Sequence, residues 1–492
     1  YGSYNTVMGV QALQANTTAS NNTAVGYQAS YSNTTGQVDS FGKGAGYSNT
    51  TGAQNTYFGL TVGYSNTTSD NNTGMGTYAL YYNTAEGNSA FGENALGKTT
   101  SGGQNTAIGR RALFSNTTAS YNTAVGYQAG YSNTYGTTLT AFGTQALYNN
   151  TIGTDNTAVG YRALYNNTTG VNNSAIGYAT LNANTTGVNN TAVGTSALIS
   201  NTYGNYNVGV GLEALKNNTT ASNNTALGYQ ALYSNVTGTT STAVGYLAAY
   251  LSTGGAVDAF GLQALRNNTT GQNNAAFAYN ALYSNTTGAN NIAVGGSALF
   301  SNTTGTSNTA MGFSALNANT TNGFSTAVGF QAARVSTGAN NTIVGCNGGY
   351  SLTTGYSNTF IGNYNSGTGY GVGGQITTGA LNTIIGAYDG NQGGLDIRTS
   401  SQYIVLSDGV GNPRVVTNGL GYTHCSNNFS TALFGTISTN PNHQVASDNA
   451  TNGVFYVYSA SSSFSDTAQY IIGNRNTSNA CLLYTSDAAD DT

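Results

Sequence analysis

The chain has 492 residues, of which only 5% are charged, with a formal net charge of −4, 68 Gly, 37 Tyr, two Pro and no Trp. An ordinary soluble domain carries roughly 25% charged residues. No basic block gives the electrostatic footprint of a nucleic-acid binder, and no run approaches the ~18 apolar residues of a membrane span.

In chain order, the sequence opens inside a repeat and stays in it. With the Gly of each "AVG"-like triplet as position zero, that Gly falls at Gly109, Gly126, Gly143, Gly160, Gly177, Gly194, Gly211, Gly228 and Gly245, a strict step of 17. The register extends back through Gly92, Gly76, Gly59, Gly42 and Gly26 to Gly9, and forward through Gly261 and Gly295 to Gly362, with Ala278 replacing the Gly once. A few steps are one residue short, as from Gly26 to Gly42, and the missing residue falls after the "NTTG" turn. A 17-residue period is too short for a helical-hairpin repeat of about 33 residues and matches one coil of a β-solenoid or β-roll. Each coil reads as a short strand ("TAV"), a corner at the Gly, a second short strand ending near Leu, and an Asn-Thr-Thr-Gly turn. Enclosed apolar positions are expected to be Ala at −2, Val or Ile at −1 and Leu at +4.

Stacked coils turn every motif position into a column. The +7 column holds Asn116, Asn133, Asn150, Asn167, Asn184, Asn201 and Asn218. An amide ladder is the simplest reading, since Asn both donates and accepts. The rival is N-glycosylation, because Asn16, Asn33, Asn66, Asn116, Asn268, Asn285 and Asn302 head N-x-T sequons. The +5 column holds Tyr31, Tyr47, Tyr64, Tyr81, Phe114, Tyr131, Tyr148, Tyr165, Tyr233, Tyr250, Tyr283, Phe300 and Tyr350, interrupted by Lys216, Arg266 and Arg334. Charges argue against a deep core, so an outward aromatic stripe is expected there, covered by other copies of the chain or offered to a polysaccharide. The +1 tyrosines Tyr127, Tyr161, Tyr178 and Tyr229 are candidates for the same contact.

After Gly362 the period breaks; a Gly-rich excursion delays the next repeat Gly to Gly386. The organisation expected is therefore a repeat block over 1–386, irregular after 362, a connector over 387–422, and a partial C-terminal β region over 423–480. Residues 481–492, "CLLYTSDAADDT", resemble a translated sequencing adapter; discounting Asp487, Asp490 and Asp491 leaves 12 acids against 11 bases.

The phrase "A-[VI]-G-x-x-A" followed by a turn Gly and "N-x-[TS]-A-[VI]-G" resembles the head repeats of trimeric autotransporter adhesins of the YadA type, and its longer form is similar to repeats in phage tail-fibre-like proteins. Residues 401–422 resemble the segment joining such repeats to the C-terminal part of phage fibres. The resemblance implies an all-β, left-handed parallel β-roll, three chains about one axis, and an extracellular place on a virion or bacterial surface. Its partners would be two further copies of the chain and a host-surface polysaccharide or receptor. Alternatives are a bacterial adhesin head, or a repetitive glycan- or ice-binding filament, the ice version weakened by adjacent "TT" rather than "TxT".

No cofactor or catalytic role is expected. His424 and His443 lie far from any positioned nucleophile motif; Cys346, Cys425 and Cys481 lack metal-ligand spacing; and the Gly-rich 367–374 lacks the Lys-Ser/Thr of a phosphate loop.

Overall fold

The computed structural model describes residues 2–421 and 423–425. Among them there is no helix, and the chain is a parallel β-solenoid of about 24 turns with 17-residue coils. It forms two compact units divided at Asn273/Asn274.

In the first unit, one short strand per coil runs from Thr6–Met8 to Val257–Phe260, each paired in parallel with its successor. Residue pairing is position for position, as in Thr157 with Ser174, Ala158 with Ala175 and Val159 with Ile176. In the second unit the same ladder runs from Asn274–Phe277 to Thr383–Ile385 and takes in Ile404–Ser407 as a further parallel rung. Antiparallel strands Pro413–Thr417 and Thr423–Cys425 follow. Of the expected C-terminal β region only these last three residues are described; His443, Cys481 and the adapter-like end lie outside the described residues.

The coil that starts at Asn156 explains the rest. Its strand Thr157–Val159 has three residues, which alternate out, in, out, so Ala158 alone is buried. Val159 and its counterparts at −1 therefore face outward, against the expectation that they fill the interior. Phe58, Phe142 and Ile176 occupy that column with about half of each side chain exposed.

The expected second strand is absent. Arg162 and Leu164 adopt left-handed φ values of 52° and 51°, while Tyr161 and Ala163 between them do not. That alternation compacts residues 161–166 into turns, although their composition reads as β-forming. The segment still bonds between coils: Arg162 N–H donates to the Thr144 carbonyl one coil back at 3.0 Å, and Leu164 N–H to the Thr180 carbonyl one coil ahead at 3.0 Å. Backbone groups that a strand would pair are thus paired without one.

Glycine at position zero is required by space as well as by dihedral. Gly160 has φ 133°, and a Cβ there would lie 2.3 Å from the Gly177 carbonyl oxygen. Gly170, in the turn, is kept by the side chains it faces: a Cβ would meet Asn167 Oδ1 at 2.4 Å.

Interior volume is conserved across neighbours. Tyr57 replaces the usual Ala at −2 and is fully buried; Gly46 and Gly63 stand where Leu normally does, and Gly74 takes the −2 place one coil on. A Cβ on Gly63 would come within 2.4 Å of the Tyr57 ring. Burial pushes the Tyr57 phenol far above its ordinary pKa, and its oxygen accepts from Asn66 Nδ2 at 2.9 Å. In the second unit larger apolar side chains enter the interior from Ile343 onward, with Leu352, Phe360, Val372, Ile376 and Ile384 buried beside Asn358 and Asn382. There Leu352 takes the +7 place of Asn.

Candidate functional site

The +7 asparagines sit inside the coil. Asn167 Nδ2 donates to Asn150 Oδ1 of the preceding coil at 2.8 Å and to its own turn's Gly170 carbonyl at 3.0 Å. The next rung, Asn184 Nδ2 to Asn167 Oδ1 at 2.8 Å, repeats the pattern. Asn33, Asn116, Asn167, Asn218, Asn268 and Asn302 are all fully buried. A glycan on any of these would replace interior hydrogen bonds and occupy the coil lumen, so the glycosylation alternative fails for them on geometry. Asn16, in the first coil, is half-buried, and its Nδ2 bonds the Ala19 carbonyl at 3.1 Å.

A second amide column went unremarked in the sequence. In most coils a buried Asn stands at the start of the strand: Asn156 Nδ2 reaches across its coil to the Gly170 carbonyl at 2.7 Å, and its Oδ1 accepts the Asn173 N–H at 3.0 Å. One end of that side chain closes its own coil while the other ties on the next. The signal was available, since Asn precedes "TAV" or its variants in most coils. A third ladder uses the first Thr of the turn, with Thr168 Oγ1 donating to the Thr185 carbonyl at 3.1 Å. In this coil the second Thr, Thr169, is exposed while Thr168 is half-buried.

The +5 aromatics are placed otherwise than expected. Tyr31, Tyr64, Tyr81, Phe114, Tyr131, Tyr148, Tyr165, Tyr233, Tyr283 and Phe300 are all half-buried, because they cover one another. Tyr131 and Tyr148 stack with centroids 5.0 Å apart and planes 5° from parallel, and Tyr148 stacks on Tyr165 at 5.1 Å. Burial, reinforced by the neighbouring phenols, holds the pKa values of Tyr81 and Tyr148 above the ordinary range.

Cations close several of the stacks. Lys98 lies over Phe114 at 4.9 Å, Lys216 over Tyr233 at 5.2 Å, and Arg266 over Tyr250 at 5.9 Å. The charges in and beside this column are therefore caps on ring faces that have lost an aromatic neighbour. Ring faces inside a stack are taken, so the column is not a row of open platforms for sugar rings.

The apolar surface left open lies elsewhere, on both sides of the glycine column. At −1 stand Phe58, Met75, Phe142 and Ile176; at +1 stand Tyr178 and Tyr246, all of them exposed. Within the second unit the same two positions carry Met311, Phe313, Phe330 and Ile361, also exposed. Half-exposed side chains of this size contribute on the order of 80 Å² each, so the first unit alone presents on the order of 1,000 Å². The largest apolar patch on a typical monomer is ≈ 300–600 Å².

Among the described residues no group of three or more His, Cys, Asp or Glu lies together. His424 is buried, which lowers its pKa, and Cys346 is exposed with a free thiol. Among the described residues no helix is long and apolar enough to cross a membrane.

Fold and surfaces together define a class: a parallel β-solenoid whose lumen is sewn by asparagine ladders and whose outer face carries an apolar double stripe. No protein-family model matches the chain, and no curated protein matches its sequence.

Proposed function

We propose that the chain is the repetitive shaft of an extracellular fibre, of the kind found in phage tail-fibre-like proteins or trimeric adhesin heads, and that it assembles from three copies. The observation that carries this reading is the double stripe at −1 and +1. It is a recurring apolar face, interrupted at +1 by residues such as Lys43, Glu93 and Arg110, laid out by the same repeat that builds the coil, and its summed area exceeds the apolar patch a lone soluble chain ordinarily exposes. Another copy offers the same periodicity and so matches the stripe rung for rung, as closed symmetric assemblies require. Resemblance of the repeat phrase to surface-fibre repeats supports both the extracellular placement and the number three.

The role that follows is mechanical: a shaft spaces whatever it carries from its anchor. Light scattering on the full chain is expected to give three times the monomer mass. A monodisperse monomer at micromolar concentration would overturn the assembly and with it the fibre reading.

A further inference from the structure

We propose that the stacked tyrosines are sites of oxidative modification, at which neighbouring rungs of one column couple to dityrosine when a one-electron oxidant acts on the folded chain.

Composition directs oxidation toward tyrosine. The sequence has 37 Tyr against no Trp, three Met, three Cys and two His. Geometry then directs the tyrosyl radicals toward each other. Tyr31, Tyr47, Tyr64 and Tyr81 form one unbroken stack with centroid separations of 5.1, 4.9 and 5.2 Å and planes within 8° of parallel. Tyr131, Tyr148 and Tyr165 form another. Tyr233 with Tyr250, and at +1 Tyr161 with Tyr178 and Tyr229 with Tyr246, add isolated pairs at 5.0 to 5.2 Å.

Radical coupling is ordinarily limited by encounter of two radicals. The solenoid removes that limit by holding the partner ring in contact, a positioning effect of the kind that raises effective concentration. The +5 rings are half-buried and the +1 pairs exposed, so stacked faces are covered by a neighbouring ring while the rings remain reachable from solvent.

The chemistry balances without a bound cofactor. Each phenol loses one electron to the oxidant and its hydroxyl proton to water. The two phenoxyl radicals form one carbon–carbon bond between ring carbons ortho to oxygen. The two ortho hydrogens then shift to the oxygens, restoring two phenols. Net, two tyrosines give one dityrosine, two protons and two electrons. Persulfate accepts those two electrons, through photogenerated ruthenium(III), and becomes two sulfates; peroxide would become water. Each bond would staple coils whose tyrosines lie 16 or 17 residues apart.

The test is photo-oxidation of the dilute full chain with tris(bipyridyl)ruthenium(II) and persulfate, followed by dityrosine fluorescence and mass-spectrometric mapping of linked peptides. The folded chain is expected to yield at least about tenfold more intrachain dityrosine than the same chain unfolded in urea, with links between adjacent rungs such as Tyr47–Tyr64 and Tyr131–Tyr148. Tyr148→Phe keeps a ring in the stack, as Phe114 does naturally beside Tyr131. It should abolish the links to Tyr131 and Tyr165 while leaving Tyr47–Tyr64 intact. Equal yields in folded and unfolded chain, or links scattered without regard to the columns, would overturn the proposal. Because coupling is intrachain, the result is independent of whether the chain trimerises.

Discussion

Ala278 marks what one methyl group costs at position zero. It alone replaces glycine in that column of the repeat and holds φ at 116°, a conformation L side chains rarely adopt. Ala278→Gly should stabilise the surrounding coils of the second unit by about 1 kcal/mol, the low end for a residue held in a disfavoured backbone region. The reverse change at Gly160, whose Cβ would strike the Gly177 carbonyl, should cost about 2–4 kcal/mol. Because coils unfold as near neighbours rather than as one body, native-state hydrogen exchange of the flanking rungs is the suitable readout. Slower exchange in Gly160→Ala would contradict the steric argument. A second residue-scale effect is electrostatic. Lys216 Nζ donates to Glu213 Oε1 at 2.7 Å, which lowers the Glu213 pKa below its ordinary 4.5 and raises that of Lys216 above 10.5. The depressed carboxyl contributes stability that is present above pH 4.5 and lost as pH falls through its folded value. The raised ammonium contributes stability that is present below pH 10.5 and lost as pH rises through its own. The pair is partly exposed, so its contribution is below about 1 kcal/mol. Glu213→Gln should lower the thermal midpoint at pH 7, the difference shrinking as pH falls through the folded value of the Glu213 carboxyl; a drop that does not change with pH would point to lost packing instead.

At the scale of the coil, the lumen is a polar structure as much as an apolar one. Ala158, Ala163 and Leu164 share it with Asn156 and Asn167, all fully buried. Three small apolar side chains bury little area, so the amides must supply both cohesion and register. Asn167→Leu fits the space but leaves Asn150 Oδ1 without its donor from Asn167 and takes away the acceptor of one Asn184 Nδ2 bond. A cost of about 2–4 kcal/mol is expected, since stranded buried polar atoms lose their full hydration. Protection of amides in the coils on either side should fall while distant coils remain unchanged; wild-type protection there would mean the ladder is not what holds the register. Much of this was legible beforehand. Period, parallel stacking and the strand at "TAV" follow from the glycine spacing and the β-forming triplet, and the +7 column is visible as Asn in row after row. The outward turn of −1 departs from the expectation that Val and Ile fill the interior, although alternation in a three-residue strand with Ala inside requires it. The replacement of the second strand by alternating φ signs at Arg162 and Leu164 could not be read, because leucine carries no sequence mark of a left-handed conformation. Nor could the half-burial of the +5 rings, which depends on coil spacing matching ring thickness closely enough for Tyr131, Tyr148 and Tyr165 to cover each other.

For the whole molecule, the proposed assembly turns on which column would meet another chain, and the two aromatic columns make opposite forecasts. If the +5 rings were the contact, polar replacement of Tyr131, Tyr148 and Tyr165 would separate the chains. In the structure these rings already satisfy each other, so Ser at all three should chiefly weaken their own coils. The −1 and +1 side chains stay exposed even where neighbours stack, as Tyr161 does on Tyr178 and Tyr229 on Tyr246. Replacing Ile176, Tyr178, Leu227 and Tyr229 by Ser leaves every lumen residue and every ladder bond in place, because all four are exposed. Association should nevertheless suffer, since removing about 300 Å² of apolar contact per chain corresponds to roughly 7 kcal/mol at 25 cal/mol per Å² before the costs of ordering are subtracted. Light scattering with circular dichroism on the full chain separates the two. The stripe variant is expected to keep the wild-type β signal and lose mass toward the monomer, whereas the +5 variant is expected to keep its association while melting earlier. The opposite pattern would return the interface to +5 and leave the exposed stripe to a partner other than the chain itself.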